Sequence, residues 1–127
     1  MKKKILSLLL VVSLMFVFAT SAYASDNTFE FNLANNGDHQ SYYVDTIIGE
    51  NKNLIAIVEL DQESQNGEYA LLMINNFLTE SIGPVFLKGN NSYTFVDCNK
   101  LALPSVVIAN KNTDNSPLKG TIRFVAY

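Results

Sequence analysis

The chain has 127 residues, nine of them basic and twelve acidic, with one cysteine, one histidine and no tryptophan. That length corresponds to one domain, and an acidic balance without a basic cluster argues against nucleic acid or an anionic membrane surface as a partner. A single cysteine excludes an intramolecular disulfide, so an apolar core must hold the domain together.

The first 24 residues have the features of an export signal. Lysines at positions 2–4 precede an apolar run over residues 5–19, and Ala-Tyr-Ala at positions 22–24 supplies the pattern that signal peptidase cleaves. The run is shorter than the roughly 20 residues of a spanning helix. We therefore predict cleavage after Ala24, secretion from a bacterial cell and no stable membrane insertion afterwards. The mature domain, residues 25–127, then keeps six basic and twelve acidic residues, a formal net charge of −6.

Two strands are predicted before residue 50. Residues Thr28–Leu33 alternate apolar and polar, which is typical of a half-buried strand. Turn formers follow at positions 35–38, Asn-Asn-Gly-Asp. Residues Gln40–Ile48 predict a second strand, in which the stripe at positions 42, 44, 46 and 48 faces the core.

The middle of the chain predicts the centre of the fold. Residues Leu54–Leu60 are apolar at both alternating sets of positions, which indicates a central strand covered on both faces. A second apolar run, Tyr69–Ile74, follows a polar segment that ends in Asn-Gly. The two runs predict a central hairpin.

Three further strands are predicted after this pair, at Ser92–Val96, Ser105–Ala109 and Lys119–Tyr127. The segment Ser81–Leu87 contains Gly-Pro, which fits an edge position and not a central strand, and an eighth strand forms if Val85–Leu87 pairs. Seven to eight short strands separated by turns predict an all-β, antiparallel β-sandwich of immunoglobulin-like or jelly-roll type, as a single domain over residues 25–127.

Two groups of residues are candidates for ligand binding. Tyr42 and Tyr43 are consecutive in a predicted strand, so one of the two rings can face outward and serve as a contact for a ligand. Asn110, Asn112 and Asp114 alternate oxygen-bearing side chains as calcium loops do, although the glycine and downstream acid of an EF-hand are missing. Calcium is the one cofactor that the sequence leaves open.

Catalytic groups are sparse. His39 lies beside Asp38, but a triad is recognised by geometry and not by adjacency. The acidic residue next to Cys98 disfavours a reactive thiolate. The leading interpretation is therefore a secreted, non-enzymatic sandwich that binds an extracellular protein, a polysaccharide or copies of itself. The alternative is a small secreted hydrolase, or a hydrolase-associated domain, using the acidic cluster near Asp61.

The C-terminal strand predicts a route to self-association. The sequence ends on the alternating segment Lys119–Tyr127 without a polar tail. If this is an edge strand, its unpaired backbone N–H and C=O groups can form hydrogen bonds with a strand of another chain. The alternative is that a neighbour such as Thr28–Leu33 already covers it.

Overall fold

The computed structural model describes residues 27–75 and 81–127, and these form an all-β domain. The predicted signal peptide and the segment 76–80 lie outside the described residues. The strands are β1 Thr28–Leu33, β2 His39–Tyr43, β3 Leu54–Leu60, β4 Glu68–Asn75, β5 Ser81–Lys88, β6 Asn91–Phe95, β7 Pro104–Asn110 and β8 Leu118–Ala126. One helical turn, α1 Asp45–Ile48, follows β2. No helix within these two ranges is long and apolar enough to cross a membrane.

The strands form two four-stranded antiparallel sheets. Their orders are β1-β8-β3-β6 and β2-β7-β4-β5. The inward side chains of each sheet alternate with outward ones, so β3 buries Leu54, Ala56, Val58 and Leu60 against the opposite sheet. The predicted all-β, antiparallel sandwich of two sheets is confirmed.

The predicted central hairpin is wrong. β3 pairs with β6 and β8, whereas β4 pairs with β5 and β7 in the other sheet. The connecting segment includes a short 3₁₀ turn, Gln62–Ser64, and Ser64 Oγ accepts a hydrogen bond from the Lys119 N–H at 3.1 Å. The chain thus changes sheets here, and the apolar rows of β3 and β4 belong to opposite sides of one core.

The prediction that β3 is covered on both faces is also wrong. Ile55 and Ile57 point away from the core and are only half-buried. Their β-branched side chains fit the pleated surface of an open sheet face as well as a buried one. The strand is nevertheless central, since it has a partner on each side.

The second predicted strand ends early. β2 stops at Tyr43, and Asp45–Ile48 form the helical turn α1, which Gly49 ends at φ 54°. Val44 and Ile48 are buried as predicted, but Thr46 is exposed. Val44 and Ile48 are four residues apart, and residues at this spacing lie on one side of a helix as well as on one side of a strand. The apolar pattern therefore did not distinguish a helical turn from a strand.

β8 is not an edge strand. It pairs with β1 on one side, in a register that sets Phe29 against Ile122, and with β3 on the other, where Ala56 lies against Phe124. The edges of the two sheets are β1 and β6, and β2 and β5. The predicted edge position of Ser81–Leu87 is therefore confirmed, and the route to self-association through an open edge of β8 is lost. Association through another surface stays a prediction.

Candidate binding surface

The outward faces of the two sheets differ in charge. The outward face of β1-β8-β3-β6 carries Glu30, Glu59, Lys119 and Arg123. On the β2-β7-β4-β5 sheet, three consecutive rows of paired outward residues in the described strands contain no Asp, Glu, Lys or Arg. We call these rows the uncharged face. The first row is His39, Ala109, Ala70 and Phe86, the second is Ser41, Val107 and Leu72, and the third is Tyr43, Ser105, Ile74 and Ser81.

The pleat of the strands determines which side chains reach this face. In β7, Val106 and Ile108 are fully buried in the core, so Val107 between them points outward. In β4, Leu71 is fully buried, whereas Leu72 is half-buried on the other side of the sheet. Apolar residues at both alternating positions of these two central strands thus fill the core and also cover the outward face.

Two aromatic rings stand at diagonally opposite corners of the uncharged face. Phe86 on β5 is 68% exposed, and Tyr43 on β2 is 49% exposed. Ala70, beside Phe86, and Ser105, beside Tyr43, are small residues that their neighbours almost cover. The face is therefore low in the middle and raised at two corners. An exposed apolar surface of this kind is typical of a contact site.

A charged row borders the first row of the face. The Lys111 N–H donates to the Glu68 carbonyl oxygen at 2.9 Å, and Glu68 is paired with Lys88 across β4 and β5. All three side chains are exposed. An uncharged centre with a charged border is the usual anatomy of a protein interface.

The two candidate tyrosines do not act together. Tyr42 points into the core, where its ring lies 5.0 Å from the Phe29 ring and its hydroxyl donates to the Glu30 carbonyl oxygen at 3.2 Å. Burial raises the pKa of Tyr42 to about 12. Tyr43 stands on the uncharged face, with its hydroxyl 3.4 Å from a carboxylate oxygen of Asp45. Only Tyr43 can contact a ligand without unpacking the core.

The side chains of the candidate calcium loop are engaged in hydrogen bonds. Asn110 Oδ1 accepts from the Asn112 N–H at 2.8 Å, and Asn112 Oδ1 accepts from the Glu68 N–H at 2.8 Å. Asp114 Oδ1 accepts from the hydroxyl of Ser116 at 2.6 Å and from its N–H at 3.0 Å. Within residues 27–75 and 81–127, no cluster of three or more His, Cys, Asp or Glu residues could hold a metal ion. An ion at this loop would compete with these hydrogen bonds, and calcium binding there is untested.

The acidic residues near Asp61 lie along two different clefts. Asp61 and Glu30 line one of about 280 Å³. Glu63 and Asp114 line another, of about 320 Å³, beside Asn112. Asp61 thus shares a cleft with Glu30, and Glu63 shares one with Asp114, two combinations that the sequence did not suggest.

The single histidine and the single cysteine differ in access to solvent. His39 is exposed at a corner of the uncharged face. Cys98 is buried, with its Sγ 3.2 Å from the Phe95 carbonyl oxygen, and burial raises the pKa of its thiol. Such a thiol behaves as a packed apolar group and not as a nucleophile.

Sequence reasoning missed most of the uncharged face. The edge segment Ser81–Leu87, which contains Phe86, carries no predicted role, and Tyr69–Ile74 is predicted only as part of a central hairpin. The sequence carried one signal of this face: the segments YALLMI and SVVIA contain no charged residue on either alternating set.

No protein-family model matches the sequence, and no curated protein sequence matches it. The crystal structure of a mitogen derived from Yersinia pseudotuberculosis is similar, with a TM-score of 0.54 at 10% identity over 79% of this chain and 84% of that one. PirA gives a TM-score of 0.46 at 11% identity, over 80% and 94% of the two chains. A designed double-stranded β-helix gives 0.42 at 13% identity, over 76% and 96%. At 10% identity the similarity to the mitogen concerns the fold alone and carries no function across.

Proposed function

We propose that this chain is a secreted, non-enzymatic jelly-roll domain that acts by binding an extracellular partner through its uncharged face. The observation that carries the proposal is the run of three paired rows without a charged side chain, in which Phe86 is 68% and Tyr43 49% exposed. Single exposed apolar residues are ordinary on soluble proteins, but a contiguous set with raised aromatic corners is not.

The jelly-roll assignment rests on the strand order. Eight strands in two sheets fit a jelly roll, and β1 and β2 lie in opposite sheets. In an immunoglobulin-like sandwich the first two strands share a sheet. The extracellular location rests on the export signal at residues 1–24.

The alternative, a hydrolase or hydrolase-associated domain using the acidic residues near Asp61, has less support. Asp61 and Glu30 line one cleft, and Glu63 and Asp114 line another. All four side chains are exposed. Exposed carboxylates are normally solvated surface groups, and general acid catalysis needs one whose pKa is raised.

Retention of the labelled mature protein, at nanomolar concentration, on intact bacterial cells and on insoluble polysaccharides tests the proposal. We expect wild type to be retained on at least one of these surfaces, and Phe86→Ala and Tyr43→Ala to reduce retention at least tenfold. Tyr127→Ala is the matched control, since Tyr127 is 58% exposed and belongs to the other sheet. Equal loss in all three variants would overturn the proposal, as would wild type that is retained on none of these surfaces and also stays monomeric.

A further inference from the structure

We propose that the occupant of the uncharged face is a second copy of this chain, packed sheet against sheet about a two-fold axis that runs parallel to the strands between β7 and β4. The inference rests on the proposed binding role of this face. It specifies the partner, the register of the contact and the charged pairs that fix it.

The chemistry of the face favours a copy of itself. The mature chain is acidic overall, so two copies repel each other wherever their charged surfaces meet. The uncharged face is the large sheet surface on which this repulsion is absent. An interface related by a two-fold axis joins the same patch to itself, and a patch without like charges satisfies that condition.

The shape of the uncharged face is complementary to that of a second copy related by this two-fold axis. The rotation keeps each row in place and exchanges β7 with β4, and β2 with β5. The small Ser105 then lies over Ile74 of the other copy, and Val107 lies over Leu72. At the corners, the exposed ring of Tyr43 lies over Ser81, and Phe86 lies over His39. Each large side chain at a corner or in the third row thus meets a smaller or flat one.

The charged row supplies electrostatic complementarity in the same register. Lys111 extends β7 and is the neighbour of Glu68 on β4, as their 2.9 Å backbone hydrogen bond shows. The rotation that exchanges β7 with β4 therefore places Lys111 of each copy opposite Glu68 of the other. The dimer contains this pair twice, and both side chains are exposed in the single chain. Opposite charges that meet at the border of an interface fix its register, and like charges placed opposite each other there oppose association.

The size of the surface predicts a weak dimer. Four strands over the length from Glu68 to Ile74 cover roughly 400 Å² per copy, from strand spacing and rise. Two such surfaces bury less than the ~1,200 Å² at which stable interfaces begin. Association should consequently be weak, visible at roughly tens to hundreds of micromolar and absent at nanomolar concentration.

Sedimentation equilibrium of the mature protein under reducing conditions, from about 5 to 500 µM, a range chosen for a weak interface, tests the proposal. We expect the weight-average mass of wild type to rise toward twice the monomer value. Lys111→Glu alone and Glu68→Lys alone should each stay monomeric, because each reversal creates two like-charge pairs in the dimer. An equal mixture of the two variants should associate again, because the opposite pairs are restored between unlike chains. Arg123→Glu, on the other sheet, is the control that should associate as wild type does.

The other outcomes are decisive as well. Monomeric wild type over the whole range overturns the dimer, and if Phe86→Ala still reduces retention on cells or polysaccharides, the binding role itself stands. Monomeric wild type without any retention that depends on the face overturns both. Association that survives both charge reversals, or a mixture that stays monomeric, overturns the proposed register and with it the proposal. Circular dichroism and urea midpoints of each variant establish that the fold is intact.

Discussion

Asn112 joins the loop after β7 to the beginning of β4, because its Oδ1 accepts a hydrogen bond from the backbone N–H of Glu68 at 2.8 Å. The same amide donates through Nδ2 to the Ser116 carbonyl oxygen at 3.0 Å. One side chain thus satisfies backbone groups of two segments that are far apart in the sequence. The loop is consequently part of the rigid end of the sandwich and not a free connection.

Removing this amide should destabilise the domain. Asn112→Ala leaves the Glu68 N–H without its partner and the Ser116 carbonyl with the Asn110 amide as its remaining side-chain donor, so we expect the free energy of unfolding to fall by about 1–3 kcal/mol. Asn99→Ala removes an exposed amide and should lie within about 0.5 kcal/mol of wild type. Urea denaturation measures both. Equal effects of the two substitutions would contradict the role of Asn112.

Two adjacent leucines test which side of β4 faces the core. Leu71 is fully buried, and Leu71→Ala should cost about 2–5 kcal/mol of unfolding free energy. Leu72 is half-buried on the outward face, and Leu72→Ala should cost at most about half as much. Denaturation at submicromolar protein avoids any contribution from association. A larger loss for Leu72→Ala than for Leu71→Ala would reverse the assignment of the two faces.

Calcium should not stabilise the domain through Asn110, Asn112 and Asp114. A ligand that binds only the folded state raises the unfolding temperature as its concentration exceeds Kd. The side-chain oxygens of these residues already accept hydrogen bonds, so the ion would have to displace them. We expect equal Tm values with millimolar calcium and with millimolar magnesium. A rise specific to calcium, and lost in Asp114→Ala, would establish the site.

Stability should fall at alkaline pH because of two buried tyrosines. Burial raises the pKa of Tyr42 and Tyr69 to about 12, whereas a tyrosine in the unfolded chain ionises near 10. Between about pH 10 and pH 12 the unfolded state therefore binds fewer protons than the folded state, and the free energy of unfolding decreases as pH rises. Below pH 10 this contribution is fully present.

The urea midpoint measured from pH 8 to pH 12 checks this dependence. Tyr69→Phe removes one of the two groups and should flatten the decrease, although it also removes the 2.8 Å hydrogen bond to the Gly89 carbonyl oxygen and lowers stability at all pH values. Tyr127→Phe, which changes an exposed ring, should leave the slope as in wild type. A slope that is the same in all three proteins would contradict the assignment.

Export should remove the first 24 residues. Mass spectrometry of the protein from the culture medium is expected to give a chain that begins at Ser25 and ends at Tyr127. Ala24→Leu replaces the small residue that the peptidase requires and should leave the full-length chain in the membrane fraction. A full-length chain in the medium would contradict cleavage.

The sequence by itself determined most of the strands. Alternation marked Thr28–Leu33 and the apolar run marked Leu54–Leu60, and both segments match the observed strands residue for residue. The edge position of β5 also followed from residue type, because Gly-Pro does not fit a central strand. These properties depend on each residue and its immediate neighbours, which is the information that a single sequence contains.

Only the tertiary structure decided which strands are partners. β1 pairs with β8 from the opposite end of the chain, and β3 and β4, which are consecutive, lie in opposite sheets. A strand that is apolar on both sides can be covered by a second layer or can form an open apolar face, and the pattern of Leu71 and Leu72 is the same in both cases. The uncharged face exists because four distant segments align their outward residues in register. That alignment follows from backbone pairing across the sheet, which no local pattern specifies.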